Sequence, residues 1–294
     1  MSIYILKVPS TQKSNDWFNF IQTSIENIDE DIKELVVDFN NVRFLETDDF
    51  VVLACLIESF YVFNCEVSFV GGTEGFNDHL YNIKFKEYWK RGFDRCKFTL
   101  SKNQTTLCLW KISSSMIYSY SQYAKQYFEK FTNNKDLIPL ASNIDEVFNN
   151  IFDHSKSPIA GYIVTQYYPK TNKISFSVCD FGVGISNSIN NSLIKGGYPK
   201  IEDWKAILKS LERGFSIKST PRNRGFGLNN ILELTETSNG KLLIVSNEGI
   251  VEKKAREMYK MGKSNYNFSG TLVKVEVDLN TFEEKDGFDE VFEF

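Results

Sequence analysis

Along residues 144–155, IDEVFNNIFDHS, apolar side chains recur at Ile144, Val147, Phe148, Ile151 and Phe152, the i, i+3, i+4, i+7, i+8 spacing of a buried helix face. A second stripe with the same period is polar: Glu146, Asn150 and Asp153 or His154. Taken alone, such a stripe is the solvated side of an amphipathic helix. What the rest of the chain encodes decides whether it faces water or a ligand.

Upstream, KELVVDFNNVRFLETDDFVVLACLIESFYVFNCEVSFVGG reads as a short β-branched strand (35–39), a polar turn, a helix (about 48–63) and a second strand (66–70). This is a β–α–β unit with a right-handed parallel connection. From Thr73 to about Thr99 the pattern is irregular, and TTLCLWKI (105–112) gives another strand. SSSMIYSYSQYAKQYFEKF (113–131) is a long amphipathic helix with serine caps, and TNNKDLIP after it is a hinge. Beyond the opening helix, AGYIVTQYY and KISFSVCD are strands joined by PKTN and run into DFGVGI. A polar insertion follows, with a helix at IEDWKAILKSLERG, then FSIKSTPRNRGFGLNNILELTETSNG and closing strands KLLIVSN and GTLVKVEVDL.

At 294 residues the chain predicts two domains, each large enough to bury a core. The spacing places them at 1–110 and 138–283, with a connecting helix and hinge over 111–137 and a tail over 284–294. The hydrophobic share of 42% and charged share of 24% are those of a soluble globular protein, enriched in aromatics by Phe 25 and Tyr 14. A net charge of −4 without a long Lys/Arg block argues against nucleic acid as a partner. Five cysteines (55, 65, 96, 108, 179) without a C-x-x-C pair predict neither a disulfide framework nor a zinc site, and place the chain in a reducing compartment. No secretory leader and no apolar run of membrane-spanning length is present, so the expectation is a cytoplasmic protein with no membrane partner.

The candidate chemistry lies around two glycine pairs. In DFGVGI, Asp180 ends a strand and Gly182 and Gly184 let the backbone approach a flat ligand and take positive φ. The Asp180 carboxylate accepts from an amino group. In NRGFGLNNI, Gly225 and Gly227 precede a helix whose amides suit phosphate oxygens. Two common nucleotide signatures fail: MGKS at 261–264 has Glu257 where a P-loop needs glycine, and a dinucleotide fingerprint would need glycine at Asn230.

The order of the motifs is informative: a helix with Glu and Asn four apart, D-x-G-x-G-I after a strand, a segment ending in G-x-G-L before a helix, and G-T opening a strand. Over residues 138–280 this resembles the ATP-binding domain of the GHKL superfamily, shared by gyrase, MutL-type repair proteins, sensor histidine kinases and anti-sigma-factor serine kinases. The resemblance implies a Bergerat-like two-layer α/β sandwich, with a mixed sheet and helices on one face, that binds ATP and Mg²⁺. Asn150 would ligate the metal, an oxygen-seeking cation, with Asp153 and His154 beside the phosphates. Asp180 would read the adenine amino group, backed by Thr271, while Gly182, Gly184 and Ile185 line the adenine pocket. Gly225, Gly227 and Leu228 would close over the phosphates at the end of a lid over 186–224, with Lys218 or Arg224 neutralising charge. Glu146 would be the general base. The sequence departs from the pattern at Asn229, where a glycine is usual, and offers no phosphoacceptor histidine on the 113–131 helix, which disfavours a sensor kinase.

The N-terminal VVDFNNVRFLETDDFVVLACLI resembles the STAS fold of anti-sigma-factor antagonists, with Asp48 at the phosphoacceptor position after Thr47. The combined expectation is a smaller STAS-like α/β domain followed by a Mg²⁺-dependent ATP-binding domain that hydrolyses ATP slowly to drive a conformational or signalling switch. The alternatives are an anti-sigma-type serine/threonine kinase and a non-catalytic regulatory module, and on every reading a protein partner or a second copy of the chain is expected.

Overall fold

The computed structural model describes residues 2–10, 14–95, 97, 101, 105–112, 117–132, 135–154, 157–159, 161–213 and 227–285, with the backbone alone at 14–16, 117–118, 149–154 and 227. The first half alternates β1 (Ser2–Lys7), α1 (Ser14–Glu26), β2 (Ile32–Asp38), α2 (Thr47–Tyr61) and β3 (Glu66–Val70). The strands form a parallel sheet in the order β1-β2-β3, so the expected β–α–β unit is present and is preceded by one more strand and helix. Both crossovers advance the same way, and their right-handed sense places α1 and α2 on one face. Leu6, Leu35 and Val37 are buried beneath them, while Ile3, Ile5 and Val70 are exposed on the other face. The stretch after Thr73 is more regular than its pattern suggests. Thr73 Oγ1 caps α3 (Glu74–Asn82) by accepting from the Phe76 amide at 3.3 Å.

The second half contains β4 (Trp110–Lys111), α4 (Ile117–Glu129), α5 (Ile138–His154), β5 (Tyr162–Tyr168) and β6 (Lys173–Asp180). It continues through α6 (Ile185–Lys195), α7 (Asp203–Ser210), α8 (Gly227–Thr237), β7 (Lys241–Lys254) and β8 (Lys260–Asp278). The sheet runs β4-β5-β6-β8-β7. Every neighbouring pair is antiparallel, which corrects the expected mixed sheet. The reason is connectivity: short turns at 169–172 and 255–259 join β5 to β6 and β7 to β8, and a short turn permits only antiparallel pairing. Strands β6 and β7 do point the same way, but β8 lies between them. The strand expected over 105–112 reduces to β4 and an isolated bridge between Thr106 and Gln166. The α/β class stands.

One face of this sheet buries Ile163, Phe176, Val178, Ile244 and Val273 with Phe128 of α4, Ile144, Val147 and Phe148 of α5 and Ile231 of α8. The buried stripe predicted for the 144–155 helix thus faces the sheet at its first three positions; Ile151 and Phe152 lie outside the described side chains.

The opposite face is covered by α2. Thr47 Oγ1 shares hydrogen bonds with Ser175 and Ser177 of β6 at 3.1 and 2.7 Å. Cys55 Sγ donates to the Cys179 carbonyl at 3.4 Å, and Tyr162 Oη donates to Glu58 at 2.8 Å. These positions follow helical spacing and define one side of α2. On the other side Phe60 stacks on Tyr4 and Phe50 meets Phe85. A helix apolar around its whole circumference is buried on all sides, and α2 is buried at every residue from Phe50 to Phe60. Its one carboxylate there, Glu58, is matched by Arg95 and by Lys111 at 3.3 Å. The Arg95 guanidinium lies 4.7, 4.9 and 5.0 Å from the rings of Tyr61, Tyr88 and Trp89, distances at which a cation is held by ring faces.

Candidate functional site

Strand β6 carries Asp180 to its last residue, directly opposite Thr271 of β8. The side chain is 1% exposed. Its Oδ1 accepts from the Gly182 amide at 2.7 Å, an Asx-type turn that folds the chain back on itself. Burial pushes the carboxyl up to about 7, against the opposing pull of the Gly182 and Thr271 amides. Among the described residues no cation pairs with it. A buried carboxylate held by amides alone keeps its charge uncompensated, and a group so perturbed marks a candidate site.

Gly184 takes φ +82°, and a Cβ there would meet Asn247 Oδ1 and Ser246 Oγ at 2.6 Å. The positive φ expected at both glycines therefore occurs at Gly184 and not at Gly182, and the surface Gly184 approaches is β7. Gly270 (φ +112°) is the closest approach in the site: a Cβ would lie 2.0 Å from the Asp180 carbonyl.

Gly184 is the N-cap of α6 and has no side chain to offer. The first amides of a helix have no partner within it, and here three side chains from other strands supply the acceptors. Thr271 Oγ1 accepts from Ile185 N at 3.2 Å, Ser246 Oγ from Ser186 N at 3.4 Å and Asn247 Oδ1 from Asn187 N at 3.3 Å. Thr271 thus supports Asp180 through its backbone amide and spends its hydroxyl on the helix. It follows that the N-terminus of α6 has no amides left for a phosphate group, and what the turn can receive is the flat, donor-bearing part of a ligand at Asp180.

The structure brings together Asp180, Gly182, Gly184, Ile185 and Thr271. Glu146 is half-buried on α5. Leu228, in the first turn of α8, is buried with Ile144 and Phe148, so it belongs to the core that joins α8 to α5. Lys218, Arg224 and Gly225 lie outside the described residues, as do the side chains of Asn150, Asp153 and His154; Gly227 begins α8. The α5 helix is unbroken to His154, so Glu146, Asn150 and Asp153 share a face at i, i+4 and i+7. The described part of the expected lid is two helices fixed in place. Ser186 Oγ donates to the carbonyls of Asp203 and Ser246 at 3.1 and 3.2 Å, and Asp203 Oδ2 accepts from Glu248 N at 3.1 Å. Asn229 Nδ2 of α8 donates to the Leu211 carbonyl, one residue past α7, at 3.3 Å.

Sequence reasoning missed Ser246 and Asn247, and read Gly270 as opening a strand, whereas β8 begins at Lys260. The available signal was SNEG inside a strand pattern, since Asn and Gly in a strand interior mark a bulge. At the N-terminal resemblance, Thr47 is fully buried, while Asp48 is partly exposed and pairs with Lys274 at 2.7 Å. A cavity of about 360 Å³ between β1 and α1 has Lys7 as its charged lining residue and carries no comparable chemistry. Among the described residues no cluster of three or more His, Cys, Asp or Glu side chains is arranged for a metal, and no helix is long and apolar enough to cross a membrane. The chain matches no family model and no curated protein.

Proposed function

We propose that the second half of the chain binds ATP with Mg²⁺ and hydrolyses it slowly, and that the first half, joined through α2, transmits the result to a partner. The observation that carries this reading is Asp180: a carboxylate 1% exposed, raised to about 7 and without a cation among the described residues. Such a group destabilises the empty fold and is restored by a ligand that donates a hydrogen bond to it, as the amino group of adenine does. The order of the motifs around it supplies the rest.

On this reading Asp180 orients the base while Gly182 and Gly184 let it lie against the backbone. Because the α6 amides are already taken, the phosphates would be held elsewhere, with Lys218, Arg224, Gly225 and Gly227 the residues that the motif order assigns to them. An asparagine oxygen suits Mg²⁺, which takes one or two protein oxygens and otherwise phosphates and water; Asn150 would hold it. Bound there, the ion would neutralise phosphate charge. Glu146, one turn before Asn150, takes the proton from the attacking water.

Thermal unfolding with and without Mg²⁺–ATP tests the reading. A ligand specific to the folded state at a hundredfold excess over its Kd adds about 2.7 kcal/mol. The Glu146→Gln variant should keep that shift and release phosphate at least about a hundredfold more slowly. A wild-type protein with no shift refutes the nucleotide site; an undiminished rate in Glu146→Gln removes Glu146 as the base.

A further inference from the structure

Strand β7 is interrupted beside the Asp180 turn. Its register against β8 shifts between Ser246 and Asn247 and again between Asn247 and Gly249, and Asn247 takes φ +53°. Bulges of this kind re-aim a side chain and cluster near functional sites, and asparagine is among the few non-glycine residues that tolerate the left-handed region. The irregularity turns the Asn247 side chain into the turn. Its Oδ1 accepts from Asn187 N at 3.3 Å and its Nδ2 donates to the Val183 carbonyl at 3.4 Å. One amide side chain thus holds the turn on both flanks of Gly184, whose missing Cβ leaves the room for Asn247 Oδ1.

Ser246 completes the clamp by accepting from Ser186 N at 3.4 Å and donating to the Gly270 carbonyl at 3.0 Å. The bulge is fixed from behind as well: Glu248 N donates to Asp203 Oδ2, and the Gly249 backbone lies against Asp203 and Trp204.

We propose that Asn247 is the positioning residue of the base-reading turn: it sets where Val183 and Gly184 stand relative to Asp180, and through that placement it determines selection for a 6-aminopurine over a 6-oxopurine. The inference rests on the nucleotide reading above. Asn247 itself need not touch the ligand. Its two hydrogen bonds hold the Gly182–Ile185 backbone as the floor of the pocket, and loss of the side chain lets that floor move while Asp180 stays on its strand.

The clean perturbation is Asn247→Gly, which keeps the left-handed backbone and removes both side-chain bonds. Asn247→Asp keeps the acceptor for Asn187 N and loses only the donation to Val183. The full-length chain is assayed for amide exchange at Ile185–Asn187 and for affinity toward Mg²⁺–ATP and Mg²⁺–GTP. A Phe60→Leu variant controls for general loss of stability, because Phe60 packs on Tyr4 at the other sheet. In Asn247→Gly the three amides should exchange faster and the ATP-to-GTP preference should fall about tenfold, the contribution of one well-placed hydrogen bond to a charged group. Asn247→Asp should fall between, and the control should keep the wild-type preference. Unchanged exchange in Asn247→Gly overturns the inference, and so does faster exchange with an unaltered preference. If the wild type binds neither nucleotide, the nucleotide reading fails and takes this inference with it; that outcome is distinct from failure of Asn247 alone, in which wild type and Asn247→Gly discriminate equally.

Discussion

Replacing Asp180 with asparagine should make the empty protein more stable above neutral pH while abolishing its response to ATP. The ordinary carboxyl value of 3.8 is raised to about 7 in the fold, chiefly by burial. Between those values the folded chain holds a proton that the unfolded chain has released, so stability is fullest below 3.8, declines as pH rises through the window and levels off above 7. At 1.36 kcal/mol per pH unit, roughly 4 kcal/mol separates the two ends. Asparagine has no proton to lose. The stability difference between Asp180→Asn and wild type should therefore grow in favour of the variant by roughly 2–3 kcal/mol between pH 5 and pH 8. Burial and the neighbouring Asp48 raise Asp49 as well, but that contribution is common to both proteins and cancels. Urea unfolding of both at several pH values, without nucleotide, measures the difference directly. A difference that stays constant across the range would refute the account of Asp180 as a buried, uncompensated acid. The same samples with Mg²⁺–ATP at pH 8 should show a thermal shift in wild type only, since the variant amide presents an NH₂ to the adenine donor.

Two further predictions concern packing around this site. Arg95→Met leaves Glu58 buried with Lys111 and Tyr162 as its partners and should cost about 3–5 kcal/mol in urea unfolding; a loss below about 1 kcal/mol would show that Arg95 is dispensable at the junction. Gly270→Ala, at φ +112° with its new Cβ 2.0 Å from the Asp180 carbonyl, should cost about 2 kcal/mol or more in the same assay, and a neutral result would place β8 farther from the turn.

The elements legible in the sequence are those in which local pattern and tertiary role agree. Strands β2, β3, β5 and β6 and helix α2 lie where β-branched runs, the Thr47–Asp48–Asp49 start and the 169–172 turn place them. Asp180 stood out as an acid at a strand end before alternating glycines. Helix α6 was not legible, because ISNSINNSLIK is rich in residues that favour caps and turns over helix interiors. Its order comes from elsewhere: Ile189 and Asn190 are buried, and its first amides are capped by Thr271, Ser246 and Asn247. Strands β7 and β8 extend well past KLLIVSN and GTLVKVEVDL, since polar residues such as Lys260 and Lys263 are held by pairing with Glu252 and Gly249, and cross-strand pairing outweighs weak intrinsic preference. The side-by-side packing of Asn247 and Gly184 depends on a bulge sixty residues away in sequence, and no spacing rule carries that information.

Helix α2 serves two masters. A surface helix has a free side on which sequence can drift, and a helix at the edge of one sheet has a face that answers only to that sheet. From Phe50 to Phe60, α2 has neither: Phe60 must fit Tyr4, while Cys55 and Glu58 must fit Cys179 and Tyr162. A substitution that suits the parallel sheet is still judged by the antiparallel one. Neither half can be cut away cleanly, because Val164, Cys179, Phe181 and Leu272 would lose their cover and the excised second half would carry an open apolar face into water. The protein is read as two units along the chain, yet it is sealed as one at this helix.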